Sequence, residues 1–140
     1  MKTRTARLGI ATILWTWGAL ISGGSAVASP VEGTWIAKDN VALKIFECGG
    51  RVCAQIAWVR DAARRPAQCG RKIVWGLLPT ASNQWEGGSI VDPDNETVYQ
   101  LAAELCPDGT LRVHIFKGIS YLGKTEVLKR IDAHSLSGAC

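Results

Sequence analysis

Eight short runs rich in β-branched and aromatic residues follow one another from Gly33 to Ile131, each cut off by a cluster of Gly, Pro, Asp or Asn. They are "GTWIAK" (33–38), "VALKIFE" (41–47), "VCAQIAWVR" (52–60), "RKIVWGL" (71–77), "QWEGGSIV" (84–91), "ETVYQLAAEL" (96–105), "TLRVHIF" (110–116) and "KTEVLKRI" (124–131). Strands at this spacing predict an all-β domain, an antiparallel up-and-down meander of about eight strands. The turns carry their own chemistry. "VDPDNE" puts Pro93 where a type I turn wants a fixed φ, and "CPDGT" puts Gly109 at the left-handed position that closes a hairpin with a glycine bulge.

The segment before the first strand is of another kind. Lys2, Arg4 and Arg7 precede the apolar run "IATILWTWGALI", and "SGGSAVA" ends with Ala26 and Ala28 in the spacing a signal peptidase reads. Residues 1–28 are therefore expected to be a cleaved secretory signal, its apolar run being too short to span a bilayer. Residues 29–132 form one barrel domain and residues 133–140, "AHSLSGAC" without its neighbour Asp132, a flexible tail. The expected location is the periplasm or the extracellular medium, with no membrane-spanning segment after cleavage. The leader also explains the charge: of 16 basic and 12 acidic residues it holds three basic ones, so the exported part is nearly neutral. That argues against nucleic acid as a partner, which calls for a basic face.

An oxidising compartment changes the meaning of "ECGGRVCAQ", residues 47–55. With Gly50 and Arg51 as the loop residues of a type II′ turn, Cys48 faces Cys53, Ile45 faces Ile56 and Leu43 faces Trp58. Alternation then gathers Leu43, Ile45, Ala54, Ile56 and Trp58 on one face and both cysteines on the other. A Cys48–Cys53 disulfide across the hairpin is expected, worth about 2 kcal/mol in the chain-entropy model. A zinc knuckle needs a second ligand pair, and Cys69, Cys106 and His114 lack the spacing for one. No metal is expected. Cys69 and Cys106 are the expected second pair, leaving Cys140 free.

"GISYLGKT", residues 118–125, satisfies the G-x-x-x-x-G-K-[ST] phosphate-loop pattern. Its setting contradicts it, because that loop joins a parallel strand to a helix, whereas here the pattern is antiparallel and only 15 residues follow Thr125. A glycine-flanked hairpin accounts for it. "DPDNE" offers oxygen ligands without the glycine and glutamate of a calcium loop, "NET" at 95–97 fits a glycosylation acceptor within the same turn, and His114 lies in a strand beside Val113 and Ile115. No acid, base and nucleophile constellation is visible, so the chain is not expected to be an enzyme, and no cofactor is implied.

Two features remain. The connection "RDAARRPAQCGRK" gathers Arg60, Arg64, Arg65, Arg71 and Lys72 against Asp61, a patch suited to an anionic partner. Trp35, Trp58, Trp75 and Trp85 fall on separate strands, as the apolar wall of a barrel cavity would require; Trp35, Trp58, Trp75 and Tyr99 are the expected ligand-binding residues.

These stretches resemble a bacterial family of exported proteins, the domain of unknown function 2147 family. The match rests on "VEGTWIAKD" (31–39), "IFECGGRVCAQI" (45–56), "CGRKIVWGL" (69–77), "QWEGGSIVDPDNETVYQ" (84–100) and "GISYLGKTEVLKRI" (118–131), the W-x-G-G-x-I-x-D-P block being the most specific. The resemblance implies a lipocalin-like antiparallel barrel with no established activity, cofactor or substrate. Such barrels open with Gly-x-Trp and close with a basic residue packed on the tryptophan, which puts Gly33, Trp35 and Arg130 in those roles. The expected function is binding of a small apolar or amphipathic ligand. The alternative is an envelope protein-interaction module with a filled barrel.

Overall fold

The computed structural model describes residues 29–38 and 40–140, together with residues 9, 13, 18 and 19. The expected leader otherwise lies outside the described residues. Eight antiparallel strands, β1 (Gly33–Ala37), β2 (Val41–Cys48), β3 (Arg51–Val59), β4 (Lys72–Ala81), β5 (Gln84–Val91), β6 (Val98–Leu105), β7 (Leu111–Phe116) and β8 (Lys124–Ile131), pair in chain order. Pairing of β1 with β8 closes the barrel and leaves no free sheet edge. Each run predicted as a strand is one. The connection after β3 holds a 3-10 turn at Ala62–Arg64 and a one-turn helix, α1 (Arg65–Gln68), with Pro66 in its first turn. No helix among the described residues is long and apolar enough to cross a membrane.

Even-numbered and odd-numbered connections lie at opposite ends, so the barrel has two different mouths. At one end, residues 29–32 cross the opening and insert Val31, which is almost fully buried. Trp35 above it is 0% exposed and donates its indole N–H to the Val31 carbonyl at 2.8 Å. Arg130, directly opposite Trp35 in the β1–β8 register, lays its guanidinium 4.3 Å from the ring centroid. The same group donates to the Glu32 carbonyl at 2.6 Å and the Pro30 carbonyl at 2.7 Å. One cation thus covers the indole face and satisfies two carbonyls of the crossing segment. Gly33 has no substitute here, because its φ is +130° and a Cβ would lie 2.6 Å from Arg130 Nη1. Gly33, Trp35 and Arg130 together close this end.

The cysteine hairpin forms in a different register from the one expected. Gly49 and Gly50 are the loop residues, with φ of +63° and +77°, the pair of left-handed conformations that a type I′ turn demands. Leu43 therefore faces Ile56, Ile45 faces Ala54 and Cys48 faces Arg51. Moving the partner by two positions preserves the faces, so Leu43, Ile45, Ala54 and Ile56 still point into the core. The cysteines become diagonal neighbours with Cα atoms 6.0 Å apart, and they are bonded.

Further along the same ladder a bulge between Ala42 and Leu43 pairs Leu43 with Ile56 but Ala42 with Trp58, leaving Ala57 as the extra residue of β3. The phase of β3 changes there: Val59 turns into the core and Trp58 turns out.

The second disulfide joins Cys69 to Cys140, with Cα atoms 5.3 Å apart, and not to Cys106, which is free. Cys106 sits in the β6–β7 turn, where its backbone N–H bonds the Thr110 carbonyl and Gly109, at φ +83°, closes the loop as expected. That turn belongs to the plugged end, whereas Cys69 belongs to the connection at the other. Residues 133–140 consequently do not behave as the loose tail expected of them. They begin with a 3-10 turn at Ala133–Ser135, and the Ser137 carbonyl accepts from Trp58 Nε1 at 2.7 Å. The Cys140 N–H reaches the carbonyl of Ala57 at 2.8 Å, so the bulge supplies the acceptor that anchors the chain end.

Candidate functional site

The interior is not filled. A cavity of about 860 Å³ runs from the plug to the end carrying the β1–β2, β3–β4, β5–β6 and β7–β8 connections. This lies in the range of small-molecule sites. Its walls are built by alternation: Leu43 and Ile45 from β2, Ile56 from β3, Val74 and Leu77 from β4, Leu101 from β6 and Val113 from β7 all point inward. Trp85, 4% exposed, contributes the large aromatic surface near the plug. Polar side chains appear only toward the mouth, where Lys38, Arg64, Gln68, Asp94, Lys117, Lys124 and Glu126 line the opening with Tyr99 and Leu122.

The aromatic residues expected to bind ligand divide between inside and outside. Tyr99 lines the cavity. Trp35 is inside the barrel but belongs to the closure, beneath the cavity wall. Trp58 lies on the outer face, bonded to Ser137 and 5.9 Å from the Arg65 guanidinium. Trp75 also points outward and is 37% exposed; Gly76, with φ of +78°, follows it and resets the phase so that Val74 and Leu77 face the core on either side. Trp85 was missing from the expected set. Its flanks, Gln84 and Glu86, are polar, and that strict alternation is a signal for an inward side chain.

The basic connection is not a free anionic-partner surface. Arg64 donates to Asp94 at 3.0 Å and lies 3.4 Å from Asp61. Gln68, the buried polar residue of α1, donates to the other Asp94 oxygen at 2.8 Å. Arg65 donates to the Val59 carbonyl at 2.8 Å and stands over Trp58. Arg71 makes a two-pronged contact with Glu96 at 2.6 and 2.5 Å. Arg60 is also engaged, and Lys72 is exposed at the start of β4. Asp94 and Glu96 come from the β5–β6 loop, so their pairs clamp α1 and its flanks to the neighbouring connection across half of the mouth.

The hydrogen bonds from Arg71 hold the Glu96 carboxyl below its ordinary value of 4.5, with the charge of Arg71 adding to the effect. Since the folded value is the lower one, the clamp's contribution is fully present above the ordinary carboxylate value and is lost as the pH falls through the lowered one. Amide exchange in the 92–97 loop is expected to accelerate across that acidic window in the native protein and to show no such step in Glu96→Gln. Identical acid profiles for the two proteins would contradict the clamp.

His114 stands outside the cavity wall and serves the β7–β8 connection: its Nε2 meets the Ser120 carbonyl and its Nδ1 lies 3.2 Å from Thr125 Oγ1. The glycine-lysine sequence at 123–124 is part of that same connection, with a 3-10 turn at Ser120–Leu122 leading into β8. No group of three or more metal-ligating side chains occurs among the described residues.

A closed eight-stranded antiparallel barrel, plugged at one end by a tryptophan under an arginine and open at the other to an apolar cavity, defines a lipocalin-like fold. Among solved structures, protein HP1028 from the human pathogen Helicobacter pylori, described as belonging to the lipocalin family, is similar with a TM-score of 0.61 at 16% identity, covering 74% of this chain and 84% of that one. At that identity the likeness speaks for the fold. Residues 33–130 match the family described as "Uncharacterized protein conserved in bacteria (DUF2147)", and the chain belongs to it. A comparison with curated proteins finds no match.

Proposed function

We propose that this protein binds a small apolar or amphipathic molecule inside the barrel, as a carrier or receptor and not as an enzyme. The observation that carries this is the cavity of about 860 Å³, aliphatic along its length and polar only at its mouth. A molecule with an apolar body and a polar head matches that gradient: its body replaces water against Leu43, Ile56, Leu101 and Trp85, and its head stays among Lys38, Lys117, Lys124 and Glu126. The empty interior weighs against a filled interaction module. An extracytoplasmic site of action accords with the two disulfides and with the leader-like residues 1–28.

The test is titration with a fluorescent long-chain fatty acid. Native protein is expected to enhance probe emission and to lose Trp85 emission to it. Ala54→Phe, which projects a ring into the cavity from the middle of β3, is expected to weaken the probe roughly tenfold or more while leaving the barrel folded. Failure of the native protein to take up the probe, or an unchanged affinity in Ala54→Phe, would sink the proposal.

A further inference from the structure

The two halves of the open rim are built differently. On one half, the β3–β4 and β5–β6 connections are locked together by Arg64, Gln68 and Arg71 on Asp94 and Glu96, which ties the Arg64 and Arg71 cations to carboxylates. The other half consists of the β7–β8 and β1–β2 connections, brought side by side by the β8–β1 pairing. Here Ile119, Tyr121 and Leu122, three of four consecutive residues, project outward, with Tyr121 79% and Leu122 69% exposed.

Large apolar side chains crowded at an exposed tip mark an interaction site when the backbone holds them there. It does so in this loop. Ile119, Leu122 and Gly123 donate backbone N–H bonds to Lys117, Ile119 and Ser120 at 3.0, 3.2 and 3.3 Å, and His114 holds the Ser120 carbonyl from the side. Gly123 packs so closely on the Ile115 carbonyl and the Phe116 side chain that no Cβ fits. The apolar tip is therefore presented before any partner arrives, and little order must be gained on contact.

The charges beside the tip select the partner. Lys117 and Lys124 flank it in sequence, and Lys38 stands on the adjoining β1–β2 connection. Lys38 and Lys124 share one carboxylate, that of Glu126, at 2.9 and 3.7 Å, so the described charged residues beside the tip, with Lys117, are in net positive excess. Apolar and aromatic side chains ringed by lysines match the interface of an anionic bilayer, where the apolar groups enter the acyl boundary and the ammonium groups remain at the phosphates. The tip is also continuous with the cavity, since Lys117, Leu122, Lys124 and Glu126 line its mouth.

We propose that the Lys117–Lys124 half of the rim docks on the surface of an anionic phospholipid bilayer and holds the cavity mouth against it, so that amphiphiles pass between bilayer and barrel. The passage rests on the binding function proposed above; the docking does not. Co-sedimentation of the exported chain with vesicles of phosphatidylglycerol and phosphatidylethanolamine, against vesicles of phosphatidylcholine alone, tests it. The expected result is binding to the anionic vesicles that weakens with added salt. Ile119→Ser with Tyr121→Ser, neither of which lines the cavity, should lower that binding roughly tenfold or more while retaining the native melting profile and the uptake of soluble fluorescent fatty acid, and Lys117→Glu should abolish the preference for anionic lipid while retaining the native melting profile. Equal binding to both vesicle types, or binding indifferent to the loop variants, overturns the docking proposal. So does a loss of self-association in the loop variants without a change in vesicle binding, which would make a second copy of the chain the occupant. Vesicle binding that persists in a protein unable to take up the soluble probe supports the docking and overturns the cargo; uptake of the probe without vesicle binding does the reverse.

Discussion

Replacing Trp35 by alanine is expected to lower the stability of the fold by about 4 kcal/mol, within the range seen for buried aromatic truncations. Trp35 is fully buried, and its loss does three things at once. The indole volume becomes a void beside the plug, the Val31 carbonyl loses its donor and Arg130 loses the ring beneath it. The two bonds from Arg130 to Glu32 and Pro30 then have to hold residues 29–32 across the opening unaided. Equilibrium unfolding in urea measures the effect. A double-mutant cycle with Arg130→Ala should find a coupling of about 0.5–2 kcal/mol for the cation on the indole. A loss below about 1 kcal/mol in Trp35→Ala would mean that the plug does not depend on the tryptophan, and the account of closure would fail.

The second large effect belongs to the Cys69–Cys140 bond. It joins positions 71 apart in sequence, against 5 for Cys48–Cys53. In the chain-entropy model the long closure restricts the unfolded chain by about 4 kcal/mol and the short one by about 2. Removing Cys69 and Cys140 together should therefore cost about twice as much as removing the hairpin pair. The bond also keeps residues 133–140 on β3, where Ser137 accepts from Trp58 and Cys140 donates to Ala57. The Cys69→Ser, Cys140→Ser protein is thus expected to show a solvent-exposed Trp58 and faster proteolysis near the chain end, besides its lower unfolding midpoint. Equal losses from the two double variants, with Trp58 emission unchanged, would show that the chain end is held by its packing alone.

The hairpin cysteines, of which Cys53 is buried, illustrate how far sequence reasoning reached. Their pairing was legible because only a turn of two residues fits between them in an oxidising setting, yet the register was off by two positions. Gly-Gly satisfies a type I′ turn and Gly-Arg a type II′ turn, and the alternation of side chains is the same for both. Periodicity specifies which face a residue occupies; it does not choose between registers that differ by two. The bulge at Ala57 was not legible at all, and it alone sends Trp58 outward. Trp75 was misplaced for a similar reason, at Gly76.

The charged connection and the last cysteine failed differently. Arg64 and Arg71 read as a basic patch because their partners, Asp94 and Glu96, lie in another connection, 30 and 25 residues away. Cys69 took the most distant cysteine as its partner because the chain end returns to β3, a path that spacing cannot reveal. The cavity wall was accordingly only partly foreseen: Tyr99 was in it, Trp85 was named for the wall but left out of the ligand-binding set, and two tryptophans proved to be outside.

What the sequence by itself determined is therefore local and periodic: the eight strands and the glycine-closed turns, set by φ preferences and alternation that act within a few residues, and the Gly33, Trp35 and Arg130 closure, read from the resemblance to lipocalin-like barrels. Only the tertiary structure decided which aromatic side chains line the cavity, which cations remain free at its mouth and where the chain ends. Those outcomes depend on bulges, on closure of the sheet and on contacts between connections far apart in the chain, where free energy is settled by neighbours in space.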